Sequence, residues 1–263
     1  MKVLMCPPTF FSIDYEINPW MKKEVQVDRR LAGRQWEDLF DLYTSLGVEV
    51  ETISPAKDLP DMVFTANAGL VFGKKVVLAN FRYPERKPES VHFAKWFEAN
   101  RFEVVELGKN EFFEGQGEAL WFGEYLVAGW GFRSNQAGHT RLKEMMGNRL
   151  VSVRLIDSRF YHLDTCFLPI DQTTAVYYPA AFDADSQAKL KEIIPNLLEV
   201  PEEEATAFAC NSVVVGKIVI MPVVGVGPPK RLEELGYKVW FINVSEFKKS
   251  GGGIRCLTLT LEV

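Results

Sequence analysis

Residues able to carry covalent chemistry recur at a nearly constant interval along this chain. Asn67, Glu114, His162, Asn211 and Cys256 stand 47, 48, 49 and 45 residues apart. A thiolate attacks carbon, an imidazole moves protons near neutral pH, and carboxylates orient the imidazole or hold a cation. Cys256 follows Gly251-Gly252-Gly253-Ile254-Arg255 and leads into the alternating run Leu257-Thr258-Leu259-Thr260-Leu261. Taken alone, this stretch reads as a glycine-rich turn with a small buried cysteine at the edge of a strand. Its place in the series makes it a candidate nucleophile instead. The three glycines are then expected to leave room for a planar ligand group against the thiol. His162 occupies the corresponding slot of an earlier unit. His92 and His139 fall in helical segments and read as surface groups. In His162-Leu163-Asp164-Thr165-Cys166, strand alternation would turn Asp164 to the same side as His162. No second cluster completes a coordination shell, so the run is not read as a metal site. Asp61, Glu114, Glu118 and Asp164 make the expected pocket acidic, which suits a planar guanidinium held by paired hydrogen bonds. Arg86 and Arg133, placed after the second strand of their units, could hold a carboxylate at the far end of such a ligand.

The elements that must position these residues are legible in the same period. Each anchor precedes or opens an apolar strand, followed by a tight turn, a second strand, a helix and a third strand. The series runs from Asn67 through the helix at 88–100 and the strand at 102–107. Glu114 leads to a helix at 136–147, His162 to one at 185–194, and Asn211 to one at 228–235. The fifth unit, 251–261, lacks its later strands, and the N-terminal strand 3–6 is expected to complete it, followed by a helix at 28–46 and a strand at 48–53. A repeat of this length marks a repeat architecture. Five hairpin-containing units close most simply about a pseudo-fivefold axis, giving a five-bladed α/β propeller in a single domain spanning 1–263, with the anchors converging on the axis.

Bulk properties narrow the partners. The 263 residues carry a formal net charge of -5, with 47% hydrophobic and 25% charged residues. That balance argues against a nucleic-acid or anionic-membrane partner. Four scattered cysteines make no disulfide scaffold, and the N-terminus reaches Pro7-Pro8 without the apolar core of a secretory signal, so a reduced, cytoplasmic setting is expected. Gly225-Val226-Gly227 runs into Pro228-Pro229 and makes no dinucleotide fingerprint, and no cofactor is expected. A homo-oligomer is admitted but not required. The loop at 11–24 is long for a connection and is expected to be functional or packed over something.

Gly251-Gly252-Gly253-Ile254-Arg255-Cys256, His162-Leu163-Asp164 and Glu114-Gly115-Gln116-Gly117-Glu118, in that family's order and over essentially the whole chain, resemble the guanidine-group-modifying enzymes: arginine deiminases, dimethylarginine dimethylaminohydrolases, amidinotransferases and arginine dihydrolases. The resemblance implies the same five-bladed fold. It implies Cys256 as nucleophile, His162 as acid and base, Glu114 and Asp164 as guanidinium-binding carboxylates, and Arg86 and Arg133 as carboxylate ligands. An acidic residue is usual in deiminases and dimethylarginine hydrolases where this chain has Asn67. Asn67, together with Asn18 in Tyr15-Glu16-Ile17-Asn18-Pro19, is similar to the arginine dihydrolases, which carry arginine to ornithine. A deiminase, a methylarginine hydrolase and a non-catalytic arginine-binding module stand as alternatives. A cysteine peptidase fits poorly, since a site closed around an axis suits a small molecule.

Overall fold

The computed structural model describes residues 1–223 and 227–262. Gly225 and Val226, where a dinucleotide motif would begin, lie outside the described residues. In chain order the elements are β1 (Lys2–Met5), α1 (Arg29–Ser45), β2 (Glu49–Thr52), β3 (Gly69–Phe72), β4 (Lys75–Leu78), α2 (Glu89–Ala99), β5 (Glu103–Val105), α3 (Gly115–Glu118), β6 (Ala119–Phe122), β7 (Tyr125–Trp130), α4 (Gln136–Met146), β8 (Leu150–Arg154), β9 (Phe167–Pro169), β10 (Thr174–Tyr177), α5 (Ala184–Ile193), β11 (Asn196–Glu199), α6 (Glu202–Thr206), β12 (Val213–Val215), β13 (Ile218–Pro222), α7 (Gly227–Glu234), β14 (Lys238–Ile242), α8 (Ser245–Lys248) and β15 (Leu259–Thr260).

These strands make five three-stranded sheets, β3-β4-β5, β6-β7-β8, β9-β10-β11, β12-β13-β14 and β15-β1-β2. Each has the same topology: the first strand is antiparallel to the second, and the second is parallel to the third. The N-terminal strand does complete the last unit, with Val3 opposite Thr260 and Val50. The parallel pairing needs a crossover, and a helix supplies it in each unit. Three of the hairpin turns reuse one device, a glycine at positive φ in Gly73, Gly123 and Gly216.

The helices begin where their caps dictate. Asp28 accepts from the Arg30 and Leu31 amides, Asn135 from Gly138 and Asp183 from Ser186. Each long helix then lays an apolar face on its sheet. On α2, Phe93 and Phe97 lie one turn apart against Val76 and Leu78. On α1, Ala32, Trp36, Leu39 and Tyr43 pack with Val3 and Met5. Each such buried aromatic contributes roughly 2–3 kcal/mol of transfer free energy.

Two local expectations are corrected. His139 is buried, not a surface group: its Nε2 donates to the Gly129 carbonyl at 3.0 Å and its Nδ1 faces Ser152 Oγ at 2.7 Å, so it ties α4 to β7 and β8. The run His162–Cys166 is also not a strand, and the anchors, which precede the first strands as expected, lie in turns. Asn67 and Asp164 lie in 3-10 turns at Thr65–Ala68 and Leu163–Thr165, Glu114 caps α3, and Cys256 lies in turns that end before β15.

Candidate active site

The turns before β3, β6, β9, β12 and β15 are laced to one another by backbone and side-chain hydrogen bonds. Ala66 N donates to Cys256 O at 3.1 Å, and Thr65 Oγ1 donates to both Leu4 O and Leu257 O. Arg255 N donates to Asn211 O. This lacing brings the polar anchors of all five units into one buried cluster. Cys256, His162, Glu114, Asp164, Asn67 and Asp61 are each at most 2% exposed.

Cys256 Sγ lies 3.2 Å from Asp164 Oδ2 and receives a hydrogen bond from Asn211 Nδ2 at 3.1 Å. Burial first, and then the Asp164 charge, push the thiol well above its ordinary pKa. The resting group is therefore a neutral thiol donating to the carboxylate. Burial likewise lifts Asp164 to about 7, against the Cys256 hydrogen bond and the Arg255 charge. Asp164 Oδ1 and Asp61 Oδ1 have no partner among the described residues, so the cluster holds two buried carboxylate oxygens that a cation would satisfy.

His162 Nε2 is 2.8 Å from Glu114 Oε2, which also accepts from Arg133 Nη1 at 2.9 Å. Burial raises the cost of charging Glu114, but Arg133 and the His162 hydrogen bond hold it well below the usual carboxylate range. An ionised Glu114 can only accept, so the imidazole proton sits on Nε2. Nδ1 is left as an acceptor facing Asn67 Nδ2 at 3.5 Å. Burial lowers His162 to about 4 despite Glu114, so it rests neutral.

Asn67 bridges this pair to Arg86, its Oδ1 accepting from Nη1 at 2.8 Å. The rest of the Arg86 guanidinium is held by Glu89 at 2.9 Å through two hydrogen bonds and by Asp61 O. Arg133 lies between the rings of Tyr83 and Tyr161 and, besides Glu114, reaches Ile17 O at 3.1 Å. Arg86 thus has four of its five N–H groups engaged, whereas Arg133 has two, leaving Arg133 more capacity for a further acceptor. Asp61 Oδ2 accepts from Tyr15 OH at 3.0 Å. Asn18 is tied to its own loop and to the residue before the glycine run. Its Oδ1 caps the Trp20 and Met21 amides, and its Nδ2 donates to Ser250 O, pinning the 11–24 loop to the glycine run.

The glycine run does a different task from the one expected. A Cβ at Gly252 would overlap the Phe64 ring, one at Gly253 would come 2.7 Å from Asn211 Oδ1, and one at Gly251 2.8 Å from Trp20. The glycines make room for protein neighbours, not for a ligand. Asn211, one of the five anchors but assigned no role from the sequence, is the hub of the site. It holds the Arg255 and Cys256 amides with Oδ1, and Asp164 O and the Cys256 thiol with Nδ2. Its place in the 45–49-residue series is the sequence signal for that role. Glu118 is also buried, with Oε1 on the Ser134 amide and Oε2 unpartnered.

Two expected results follow from this geometry. A Cβ at Gly117 would overlap Asn67 Nδ2 and lie 3.4 Å from His162 Nδ1. Gly117→Ala should therefore fold yet lose about 100-fold in turnover, the usual cost of a displacement near 1 Å in a reacting site. Circular dichroism with steady-state rates checks it. The second concerns stability. Asp164 binds its proton more tightly folded than unfolded, so this group stabilises the fold below pH 4, and its contribution is lost as pH rises toward 7. At pH 8 the ionised, buried carboxylate costs up to about 4 kcal/mol. Asp164→Asn should raise Tm relative to wild type at pH 8 and not at pH 4, while activity is lost. A Tm difference that is the same at both pH values would contradict this.

A buried thiol, an imidazole–carboxylate pair and unpaired acids at the strand starts of five like sheets form the layout of the guanidine-modifying α/β class. The chain belongs to the family described as N,N dimethylarginine dimethylhydrolase, eukaryotic, whose sequence model matches residues 9–263. It is 44% identical, over 98% of its length, to the bifunctional arginine dihydrolase/ornithine cyclodeaminase ArgZ of Synechocystis sp., and it spans 37% of that relative, little over a third. It is 39% identical to the N(G),N(G)-dimethylarginine dimethylaminohydrolase of Mycobacterium tuberculosis, covering 98% of this chain and 84% of the relative. Among solved structures, the N-terminal domain of ArgZ, as a Cys-to-Ser variant bound to substrate, matches with a TM-score of 0.95 at 44% identity, over 99% of this chain and 98% of that one. No helix among the described residues is long and apolar enough to cross a membrane.

Proposed function

We propose that this chain is a cysteine-dependent arginine dihydrolase, converting arginine and two waters to ornithine, two ammonia and carbon dioxide. The observation that carries the reading is the thiol–carboxylate contact of Cys256 and Asp164 beside a neutral His162, with an amide at Asn67 where a carboxylate would select only a cation. The likeness to ArgZ, described as an arginine dihydrolase, supports it. The five like sheets support a five-bladed propeller with pseudo-fivefold symmetry, 1–263 forming one catalytic domain. Four free, buried cysteines suit a reduced, cytoplasmic setting.

In this reading the guanidinium satisfies the open oxygens of Asp164 and Asp61, and Arg133 and Arg86 face the substrate carboxylate. The incoming cation lowers the thiol pKa that burial had raised. Cys256 Sγ bonds to the guanidino carbon, the thiol proton passes to His162, and His162 delivers it to the departing nitrogen as ammonia leaves. The product is an S-alkyl thiouronium. Water, deprotonated at His162 Nδ1, attacks its carbon, the C–S bond breaks, and a ureido group results. Asn67 can donate to or accept from that neutral group and hold it for a second attack by Cys256. A second ammonia leaves, and hydrolysis releases a carbamate that loses carbon dioxide. Glu114, fixed by Arg133, orients the imidazole throughout.

Purified protein given arginine should yield ornithine with about two ammonia per arginine consumed, and should also hydrolyse added citrulline. Citrulline accumulating in a one-to-one ratio with ammonia would overturn the dihydrolase step. The family match favours a second reading, methylarginine hydrolysis, and dimethylarginine consumed in preference to arginine would establish it.

A further inference from the structure

Outside the thiol cluster, a cavity of about 310 Å³ is lined by the first strands of four sheets, β6, β9, β12 and β15. The anchors precede these strands, and the cavity lies along the strands themselves, so it opens behind the site. Its lining includes Arg255 and Gln116 and none of Cys256, His162, Glu114 or Asp164. Arg255 makes three hydrogen bonds, all to neutral acceptors: Nη1 to Thr258 O at 3.2 Å and Thr260 Oγ1 at 3.1 Å, and Nη2 to Gln116 Oε1 at 2.9 Å. Gln116 is itself held, donating to Thr260 O and accepting from Thr260 N. The guanidinium is therefore fixed in orientation. Nε–H and one Nη2–H keep no acceptor among the described residues, and no carboxylate pairs with it there. Arg86 and Arg133, the fully buried arginines of this region, are by contrast both paired to glutamates, whereas Arg255 is half-buried.

A fixed, unpaired guanidinium in a walled cavity is a receptor for an oxyanion. Trp121, in the same wall, has an indole N–H without an acceptor among the described residues. Leu120, Phe167, Val213 and Val214 make the remaining walls apolar. Among the described residues Glu262 is the one carboxylate in the lining; it is solvent-exposed and lies 3.9 Å from the Met1 amine. We propose that this rear cavity binds a small organic carboxylate, its headgroup on Arg255 and its short aliphatic part against the apolar walls, separately from the arginine site. Inorganic phosphate shares the headgroup chemistry but leaves the apolar walls unused. The site has a way to act on the thiol. The Arg255 charge helps keep Asp164 ionisable, and an anion on Arg255 offsets that charge.

Titration calorimetry on the full chain with butyrate, phosphate and butylammonium tests this. The Cys256→Ala protein lets the same titration be repeated in saturating arginine without turnover. Saturable butyrate binding is expected, weaker phosphate binding, no butylammonium binding, and a butyrate affinity unchanged by arginine. Arg255→Gln should weaken butyrate about tenfold, the effect of a charge-assisted hydrogen-bond pair. Arg255 adjoins the thiol loop, so two distant variants guard against misfolding. Val214→Trp fills the cavity and should abolish binding, and Glu262→Lys at the rim should tighten it about threefold by removing like-charge repulsion. Displacement of butyrate by arginine, absence of saturable butyrate binding, or an affinity indifferent to both Val214→Trp and Glu262→Lys would overturn the proposal. None of these readouts depends on the reaction the thiol performs.

Discussion

Cys256→Ala should release ammonia from arginine at least about 10⁴-fold more slowly than wild type, the scale on which removal of a nucleophile acts. No other group in the cluster can replace it. The remaining sulfur atoms nearby, in Cys166 and Cys210, donate to main-chain carbonyls, and burial holds both thiols far above their ordinary pKa. The fold should survive, because Sγ is one of several partners. Asn211 still binds the Cys256 and Arg255 amides and Asp164 O, and Ala66 N still reaches Cys256 O. Arginine binding should be kept, since Asp61, Asp164 and Arg133 are untouched. Wild-type protein quenched in acid during turnover should show the mass of a covalent adduct, and the variant none. Retention of more than about one per cent of wild-type turnover, a loss far short of a nucleophile's, would remove Cys256 from the chemistry.

Rates above neutrality carry a related signature. The thiol is pushed up by burial and by Asp164, so turnover at subsaturating arginine should rise with pH as the free enzyme's thiol ionises.

Much of this arrangement was legible because it is local. Short apolar runs at Val213–Val215 and Ile218–Pro222 either side of Gly216-Lys217 mark a hairpin, Asp28 and Asn135 mark helix starts, and the 45–49-residue series ties these into equivalent units. The turns that hold the chemistry were less legible because their hydrogen bonds are not local. Thr65 reaches Leu4 and Leu257, and Asn211 reaches Cys256 across 45 residues, while the run His162–Cys166, which alternation reads as a strand, is a turn. The same cause hid the role of the glycines. What fills the space beside Gly252 is Phe64, a neighbour no sequence period brings near. His139 misled for a simpler reason. Its helix is amphipathic, but its imidazole is satisfied by Ser152 and Gly129 on the adjoining sheet, and a satisfied polar group can be buried.

Asn67→Asp should turn the protein into one that stops at citrulline, cutting ornithine yield by at least about tenfold while arginine is still consumed, since one pKa unit of altered proton affinity already corresponds to tenfold. Asn67 offers Oδ1 to Arg86 and its amide N–H to His162 Nδ1. An aspartate keeps the first contact and loses the second. Its other oxygen would then face the imidazole lone pair, and His162, now lowered to about 4 by burial, regains a proton more easily. A protonated His162 still serves the first departure of ammonia from a cationic guanidinium. A carboxylate beside it holds a neutral ureido group less well than an amide that both donates and accepts, so the second attack fails. The variant should therefore accumulate citrulline from arginine and leave added citrulline unreacted. Its acid limb in the pH–rate profile should move upward, which a merely structural lesion would not produce. An unchanged yield of two ammonia per arginine would show that the residue at this position does not decide where the reaction ends.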